Sequence, residues 1–112
     1  METINWTDFE KVEIRVGTIV TAADFPRARN PSYQLTIDFG PELGVKRSSA
    51  QITKLYQPDE LIGKQVVAVV NFPVKQIANF FSECLVLGVY GNDNAVILLQ
   101  PDKLVANGQK IG

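Results

Sequence analysis

A run of five apolar residues, Val66–Val70, constrains the fold of this chain more than any other feature. Four of the five are valines, and the branched side chain of valine favours an extended backbone. Because the run shows no polar alternation, both faces of the strand must be covered by other parts of the protein. Pro73 ends the run, since proline cannot donate a hydrogen bond to a neighbouring strand. We therefore predict a central, buried strand in a small, closed β-structure.

Three more strands are predicted before this run. The segment 12–20 alternates apolar and polar residues up to Gly17, where the phase shifts, and a glycine within a strand often marks a bulge or bend. The segment 32–39 alternates almost perfectly, with Tyr33 on its apolar face. The short segment 45–50 pairs back onto it as a third strand after a hairpin loop. The bend in the first strand is what a small barrel needs to curl around its core.

Helical patterns in this sequence are short. Thr7 and Glu10 have the spacing of a capping box and predict one turn at residues 7–11. Apolar side chains at positions 52, 55 and 56 have helical spacing, which predicts a second helix within 51–56. A helix at this point would separate the third strand from the buried valine strand.

The remainder of the chain is predicted to form a loop and two further strands. Residues 75–82 are the loop, and strands at 83–90 and 95–99 are joined by a turn. Strand spacing alone also fits an SH3-like barrel or a sandwich. The bent first strand and the mid-chain helix favour an all-β fold with short helices, a five-stranded Greek-key OB-fold barrel with N- and C-terminal extensions. We expect one domain covering residues 1–112.

The composition argues against catalysis. The chain has no histidine, the usual base near neutral pH, and no metal-ligand cluster or phosphate-binding glycine loop. Its one cysteine, Cys84, lies among apolar residues, where a core thiol is expected rather than a nucleophile. A single cysteine also fits a reducing cytoplasm, and no apolar run is long enough to span a bilayer. We therefore expect a cytoplasmic binding protein that is not an enzyme, needs no cofactor or metal, and does not insert into membranes.

Charge is distributed unevenly although the net charge is only −1. Residues 27–75 carry seven bases and four acids, and this excess is either a phosphate-facing surface or a solvated one. In a barrel of this type, ligands lie across the second and third strands with flanking loops as walls. Arg27, Arg29 and Tyr33 lie on this face or its rim, although Tyr33 is expected in the core. The candidate peptide- or RNA-binding residues are Lys46, Arg47, Ser49, Gln51, Lys54, Asn71, Phe72, Lys75, Phe80, Ser82, Glu83 and Leu85.

Two ligand classes fit these residues. Basic side chains suit phosphate and aromatic rings stack on bases, which would serve RNA. The same loop would serve a peptide if Phe80 and Phe81 supplied apolar pockets and amides held its backbone. One of these two rings is equally well explained as core, and Asn71 is equally well explained as a tie for the chain after the strand.

The two ends of the chain are unusually apolar. Termini generally fray unless they pack on something. We predict a two-fold homodimer that uses both ends, through Ile4, Trp6, Phe9, Leu104, Val105 and Ile111.

Several segments resemble the tRNA-binding domain family, which includes the C-terminal domains of methionyl-tRNA synthetases. The segments are Glu13–Gly17, Leu35–Gly40, Tyr56–Lys64 and Val70–Pro73. Four segments resemble a chaperone branch of the same family. They are Ser48–Thr53, Asn71–Pro73, Ser82–Gly88 and Leu98–Asp102. The resemblance covers residues 9–112 and implies an OB-fold and a homodimer.

For function, the resemblance implies an export-related molecular chaperone that binds unfolded or precursor polypeptides. The alternative is a tRNA-binding module that acts in trans with an aminoacyl-tRNA synthetase. The tRNA-binding members usually carry Arg-Gly at positions 78–79, where this chain has Ala78 and Asn79. They also lack the acid that Glu83 is expected to place at the barrel mouth. Fewer bases should weaken tRNA binding, since affinity depends on the number of neutralised phosphates.

For a peptide ligand, the candidate residues divide into three roles. Lys46, Lys54 and Lys75 would attract carboxylates. Phe72, Phe80 and Leu85 would take apolar side chains. Gln51, Asn71 and Ser82 would hydrogen-bond the peptide backbone.

Overall fold

The protein is built around a five-stranded antiparallel sheet that curls into a nearly closed barrel, as seen in a computed structural model describing all residues, 1–112. The order of strands in the sheet is β3-β2-β1-β4-β7. The strands are β1 Ile14–Asp24, β2 Tyr33–Asp38, β3 Val45–Ala50, β4 Gln65–Val69, β5 Lys75–Ile77, β6 Phe80–Ser82, β7 Leu85–Val86, β8 Gly88–Tyr90 and β9 Val96–Leu98. The helices are single turns: α1 Trp6–Glu10, α2 Gly40–Leu43, α3 Pro58–Leu61 and a 3₁₀ turn at Asn92–Asn94. The predicted OB-type barrel is confirmed.

The valine run forms most of β4, an inner strand of the sheet, but the middle strand in the order is β1 rather than the predicted valine strand. All five residues of β4 are buried, and the strand pairs with β1 on one side and β7 on the other. Val66 and Ala68 point into the main core, where they join Leu35, Ile37 and Phe39 from β2 and its end. A strand covered on both faces needs no polar alternation, which explains the uninterrupted apolar sequence.

The bend in β1 lies at a different residue from the one predicted. The register with β2 shifts between Ile19 and Thr21, so the bulge is at Val20 rather than at Gly17. Gly17 serves packing instead, because a methyl group there would lie 2.7 Å from side-chain atoms of both Ile37 and Phe39. The bulge adds the curvature that lets an 11-residue strand pair with both β2 and β4.

The helix predictions were partly wrong. The helix α1 is capped by Asn5 rather than Thr7: Asn5 Oδ1 accepts from the Asp8 N–H at 2.9 Å, and the Asp8 carboxylate accepts from the Asn5 N–H at 3.2 Å. Asparagine is a stronger cap than threonine, which explains why the helix begins one residue earlier than predicted.

The predicted helix at 51–56 does not form, and the single turn α3 lies further along the chain at 58–61. Tertiary hydrogen bonds hold this segment out of a helix. The Tyr33 hydroxyl donates to the Tyr56 carbonyl at 2.7 Å, and the Tyr56 hydroxyl accepts from the Leu98 N–H at 3.1 Å. Proline at position 58 favours the first turn of a helix, which explains where α3 begins.

The region after β4 contains more strand than predicted. Residues 75–82 form a hairpin of β5 and β6 rather than a loop, and Ala78 in its turn has a positive φ of 54°. The predicted fifth strand is divided, since β7 pairs with β4 while β8 pairs with β9 in a separate arm. The loop predicted at 40–44 contains the single turn α2.

The C-terminal segment lies along β1. The Val16 N–H donates to the Gln109 carbonyl at 3.0 Å, and the Ile111 N–H donates to the Ile14 carbonyl at 2.9 Å. Arg15 reinforces this contact by donating to the Gly108 carbonyl and to the Glu13 carboxylate, which lowers the pKa of Glu13. The chain ends at Gly112, beside Ile4 and Trp6 of the N-terminal segment. None of the helices is long and apolar enough to cross a membrane.

Candidate functional site

Strand β3 meets the segment 82–86 along a seam where the barrel is only partly closed. Glu83 closes one end of this seam. Its N–H donates to the Arg47 carbonyl at 2.8 Å, and its Oε1 accepts from the Arg47 N–H at 3.0 Å. Ser48 Oγ donates to the Cys84 carbonyl at 2.8 Å, and Ser82 Oγ accepts from the Ser49 N–H at 3.2 Å. Beyond Ser49, no backbone hydrogen bond joins β3 to β7.

Two adjoining grooves lie along the open part of the seam, and they share Ser49, Gln51 and Leu85. The basic groove has a volume of about 550 Å³ and contains two bases, Arg29 and Lys75, but no carboxylate. It is lined by Ala28, Arg29, Asn30, Ser32, Ser49, Gln51, Phe72, Pro73, Lys75, Gln76, Ile77, Ser82, Cys84 and Leu85.

The apolar groove has a volume of about 700 Å³ and contains no charged side chain. It is lined by Ser49, Ala50, Gln51, Ile52, Leu85, Val86, Leu87, Gly88, Tyr90, Asn94 and Val96. Leu85 is half exposed where the two grooves join. The two grooves adjoin, so a surface with two positive charges lies beside an uncharged surface on which seven of the eleven lining residues are apolar.

Half of the twelve candidate residues line the basic groove. They are Ser49, Gln51, Phe72, Lys75, Ser82 and Leu85. The exposed ring of Phe72 and the side chain of Lys75 come from the connection after β4 and from β5, so the buried strand fixes their position. Ser82 uses its hydroxyl to accept the Ser49 N–H, so this oxygen already has a partner within the chain.

Phe80 does not supply an apolar pocket, which corrects the prediction. Its ring is 1% exposed and packs 5.3 Å from the ring of Phe25, with the Arg47 guanidinium 4.2 Å above it. The alternative that one of the two adjacent rings is core is therefore confirmed, and Phe81 is the exposed one. The Arg47 guanidinium therefore covers the Phe80 ring, and Arg47 lines neither groove.

Asn71 ties down the chain and does not reach either groove. Its Oδ1 accepts from the Glu13 N–H at 3.0 Å, and its Nδ2 donates to the Lys11 carbonyl at 2.7 Å. Both ends of the amide have partners within the chain, and Asn71 lines neither groove, so the predicted bond to a peptide backbone has no support in this geometry. The competing interpretation, a tie after the strand, is the one the structure supports.

Three other candidates also lie outside the grooves. Lys54 donates its ammonium to the Asp93 carbonyl, and Lys46 lies on β3 before the closed end of the seam. Glu83 is half-buried at that closed end rather than at the groove mouth, so it does not place an acid there. Six bases were proposed to bind phosphate or carboxylate, and only Arg29 and Lys75 line a groove. The other four, which lie outside both grooves, are Arg27, Lys46, Arg47 and Lys54.

Cys84 is a core thiol, as predicted. Burial raises its pKa to about 11, with the nearby Glu83 carboxylate acting in the same direction and a hydrogen bond from Ser48 opposing the shift. The thiol is therefore protonated at neutral pH and is a poor nucleophile. The described chain contains no group of three or more side chains arranged to hold a metal ion.

Sequence reasoning identified Arg29 in the β1–β2 loop and Lys75 and Ser82 in the β5–β6 hairpin, but it missed their neighbours in the groove wall. Asn30 and Ser32 come from the loop, and Gln76 and Ile77 come from the hairpin. The two prolines bounding the loop signalled a rigid connection, but no local pattern indicates that this loop packs beside β5.

The terminal segments form a separate apolar surface. Ile4, Asn5, Trp6, Phe9 and Gly112 surround a shallow concavity of about 430 Å³. Trp6 is 77% exposed although its ring contacts Phe9 edge-on. Leu104 is also almost fully exposed. The predicted dimer residues therefore remain uncovered in the single chain, apart from the half-buried Phe9 and Ile111.

Comparison with known proteins adds three findings. The sequence profile described as a putative tRNA binding domain matches residues 14–110. The crystal structure of chaperone CsaA from Bacillus anthracis is 52% identical, with a TM-score of 0.93 over 99% of this chain and 100% of that one. The CsaA chaperone protein from Picrophilus torridus is 53% identical, with a TM-score of 0.92 over 98% of this chain and 100% of that one.

The curated relatives found by sequence are longer proteins. Methionine–tRNA ligase from Pyrococcus horikoshii is 36% identical over 111 residues, which is 99% of this chain but 15% of the ligase. The chain thus spans less than a fifth of the length of the ligases it matches. The resemblance found in the sequence is confirmed by these matches.

Proposed function

The chain belongs to the putative tRNA binding domain family, and on that premise we propose that it is an export-related molecular chaperone binding unfolded or precursor polypeptides in the cytoplasm. It acts as one binding domain, residues 1–112, with no catalytic role. The observation that carries the proposal is the apolar groove, which has no charged side chain and opens directly beside the basic groove. A surface of this kind suits apolar and polar segments of an unfolded chain. The likeness to two chaperone structures at more than 50% identity supports the same choice.

Nucleic acid fits this surface less well. Only Arg29 and Lys75 contribute positive charge to the grooves, and affinity for a phosphate backbone grows with the number of phosphates neutralised. Two contacts to a single-stranded segment correspond to a slope of about −1.4 in a plot of log affinity against log salt. Such a slope is too shallow for the electrostatic term to dominate binding.

The experiment compares an unstructured peptide and tRNA side by side by fluorescence anisotropy across a salt series. We expect peptide binding that changes little with salt, and tRNA binding that is weaker and follows a shallow slope. The matched variants are Phe72→Ala, which alters the basic groove, and Phe81→Ala, which removes a ring of similar exposure outside both grooves. Only the first should weaken peptide binding. Tight tRNA binding with a steep salt slope, together with no peptide binding, would refute the proposal.

A second candidate function is a tRNA-binding module that acts in trans with an aminoacyl-tRNA synthetase. The family match and the identity to a methionine–tRNA ligase favour it. Lys75→Ala should then lower tRNA affinity, whereas Lys103→Ala should not, since Lys103 is exposed but lines neither groove.

We also propose that the chain acts as a homodimer held together by its apolar ends. Trp6 and Leu104 are largely exposed, and large apolar side chains in this state usually mark an interface. Light scattering should give twice the 12.4 kDa mass of the chain at micromolar concentration. Trp6→Ala should shift the protein towards monomer. A monomeric mass for the unaltered protein would refute the dimer.

A further inference from the structure

The seam between β3 and β7 leaves main-chain hydrogen-bonding groups without partners on facing strand edges. Along β3, the N–H of Ser49 points away from β2, because it donates to Ser82 Oγ. In a strand, the N–H and C=O of one residue point to the same side, so the Ser49 carbonyl also faces the seam. Gln51 lies two residues further along and therefore faces the same side as Ser49. Neither its N–H nor its C=O has a hydrogen-bond partner within the chain.

The facing edge of β7 has the same property. The Leu87 N–H donates to the Val67 carbonyl at 2.8 Å, which places Leu87 in a hydrogen-bonded pair with β4. Hydrogen-bonded and non-bonded pairs alternate along antiparallel strands, so Val86 turns its N–H and C=O away from β4 and towards β3. Ser49, Gln51 and Val86 all line the apolar groove.

An edge of this kind is a template for another strand. Most exposed edges are protected by charged side chains, by proline or by a covering segment. Within the apolar groove, the lining of this edge includes no charged side chain and no proline. The edge continues into the basic groove, where Arg29 and Lys75 have no neighbouring carboxylate among the lining residues.

We propose that the occupant of the seam is an extended peptide, which adds as a short strand to the β3 edge through the Ser49 carbonyl and the Gln51 N–H. Its apolar side chains lie in the apolar groove, and an acidic side chain on the same peptide lies near Arg29 and Lys75. This mode of binding rests on the proposed peptide-binding function and specifies its chemistry. Main-chain hydrogen bonds give affinity that is largely independent of sequence, while alternate side chains and charge give the preference.

Gln51 allows a direct test in the protein. Its φ is negative, its N–H bonds to nothing, and it follows a residue in extended conformation. Proline at this position removes no existing hydrogen bond and follows a residue whose extended conformation suits a proline after it. Gln51→Pro deletes both the side chain and the donor offered to the peptide, whereas the control Gln51→Ala deletes the side chain but keeps the N–H, so the difference between the two variants reports on the donor.

The probe is a fluorescein-labelled decapeptide of alternating valine and serine with two aspartates at one end. We expect Gln51→Pro to weaken its binding about tenfold and Gln51→Ala to weaken it less than threefold. A tenfold change corresponds to about 1.4 kcal/mol, which is within the range of one hydrogen bond. A second measurement uses the unaltered protein and compares its binding to peptides that are N-methylated at odd positions or at even positions. Methylation of one of these two sets of alternate residues should lower the affinity at least tenfold, and methylation of the other set should lower it less than threefold. The reason is that a strand presents alternate N–H groups to one edge.

The outcomes separate this inference from the proposed function. If the decapeptide binds but the two Gln51 variants agree within threefold and both methylation phases are tolerated, strand addition is refuted while peptide binding stands. If the decapeptide does not bind, and a uridine decamer does so with an affinity that falls with salt, the proposed function fails as well.

Discussion

Gly17→Ala is expected to destabilise the barrel through steric overlap with the core. The added Cβ would lie 2.7 Å from Cγ2 of Ile37 and 2.7 and 2.8 Å from Cδ1 and Cε1 of Phe39. Both of these side chains are completely buried, so neither can swing out towards solvent. Overpacking of this kind typically costs about 1–3 kcal/mol, and three contacts in a closed core place this case near the upper end.

The assay is urea or thermal unfolding followed by circular dichroism. For a domain of this size, a loss of about 3 kcal/mol lowers Tm by about 12 °C. Gly63→Ala is the matched control, because Gly63 has a φ of +90° and nothing within 4 Å of the added methyl group. It should lose only the cost of the left-handed backbone, about 1 kcal/mol.

A double-mutant cycle makes the steric argument specific. Phe39→Leu removes ring atoms near Gly17 and should partly relieve the overlap, so the two substitutions together should cost less than the sum of their separate effects. Strict additivity, or a Gly17→Ala protein as stable as the wild type, would refute the reasoning.

Three further predictions concern stability. Asn71→Ala should cost about 1–2 kcal/mol in urea unfolding, because it removes the bonds to Glu13 and Lys11, and an unchanged midpoint would contradict the tie. Phe80→Ala should cost about 3–5 kcal/mol while Phe81→Ala costs less than about 0.5 kcal/mol, since only the first ring is buried; equal losses would contradict this packing. The raised pKa of Cys84 predicts stability that is fully present below the pKa of a free thiol and is lost as pH rises towards about 11. Unfolding midpoints measured from pH 8 to 11 should fall less steeply in Cys84→Ala, and identical slopes would argue against the shift.

The fold was predictable where local pattern and tertiary environment agree. The alternation of residues 32–39 predicted the buried face of β2 and its limits to within one residue at each end, and Val45–Ala50 was predicted with its observed ends. Elsewhere tertiary contacts overrode the pattern. Leu55 has helical spacing with Ile52 but is half exposed, because hydrogen bonds through Tyr56 hold the segment in another conformation.

The candidate site was predictable only in part. Residue type selected Phe72, Lys75 and Gln51 as suitable for binding, and all three line the basic groove. Residue type could not distinguish Phe80 from Phe81, because the ring that is buried depends on how the β5–β6 hairpin packs against Phe25. The chemistry of an asparagine likewise gave no sign that Asn71 binds the backbone of a segment 58 and 60 residues away.

The amino-acid sequence by itself determined that the valine strand is covered on both faces, since an uninterrupted apolar run cannot leave one face in water. It also determined that the chain carries no histidine and a single, apolar-flanked thiol. The tertiary structure alone decided where the barrel stays open. Strand edges are made of backbone groups that every residue carries, so no side-chain pattern marks Gln51 and Val86 as unpaired. That property arises only when β3 and β7, more than 30 residues apart in the chain, are brought face to face.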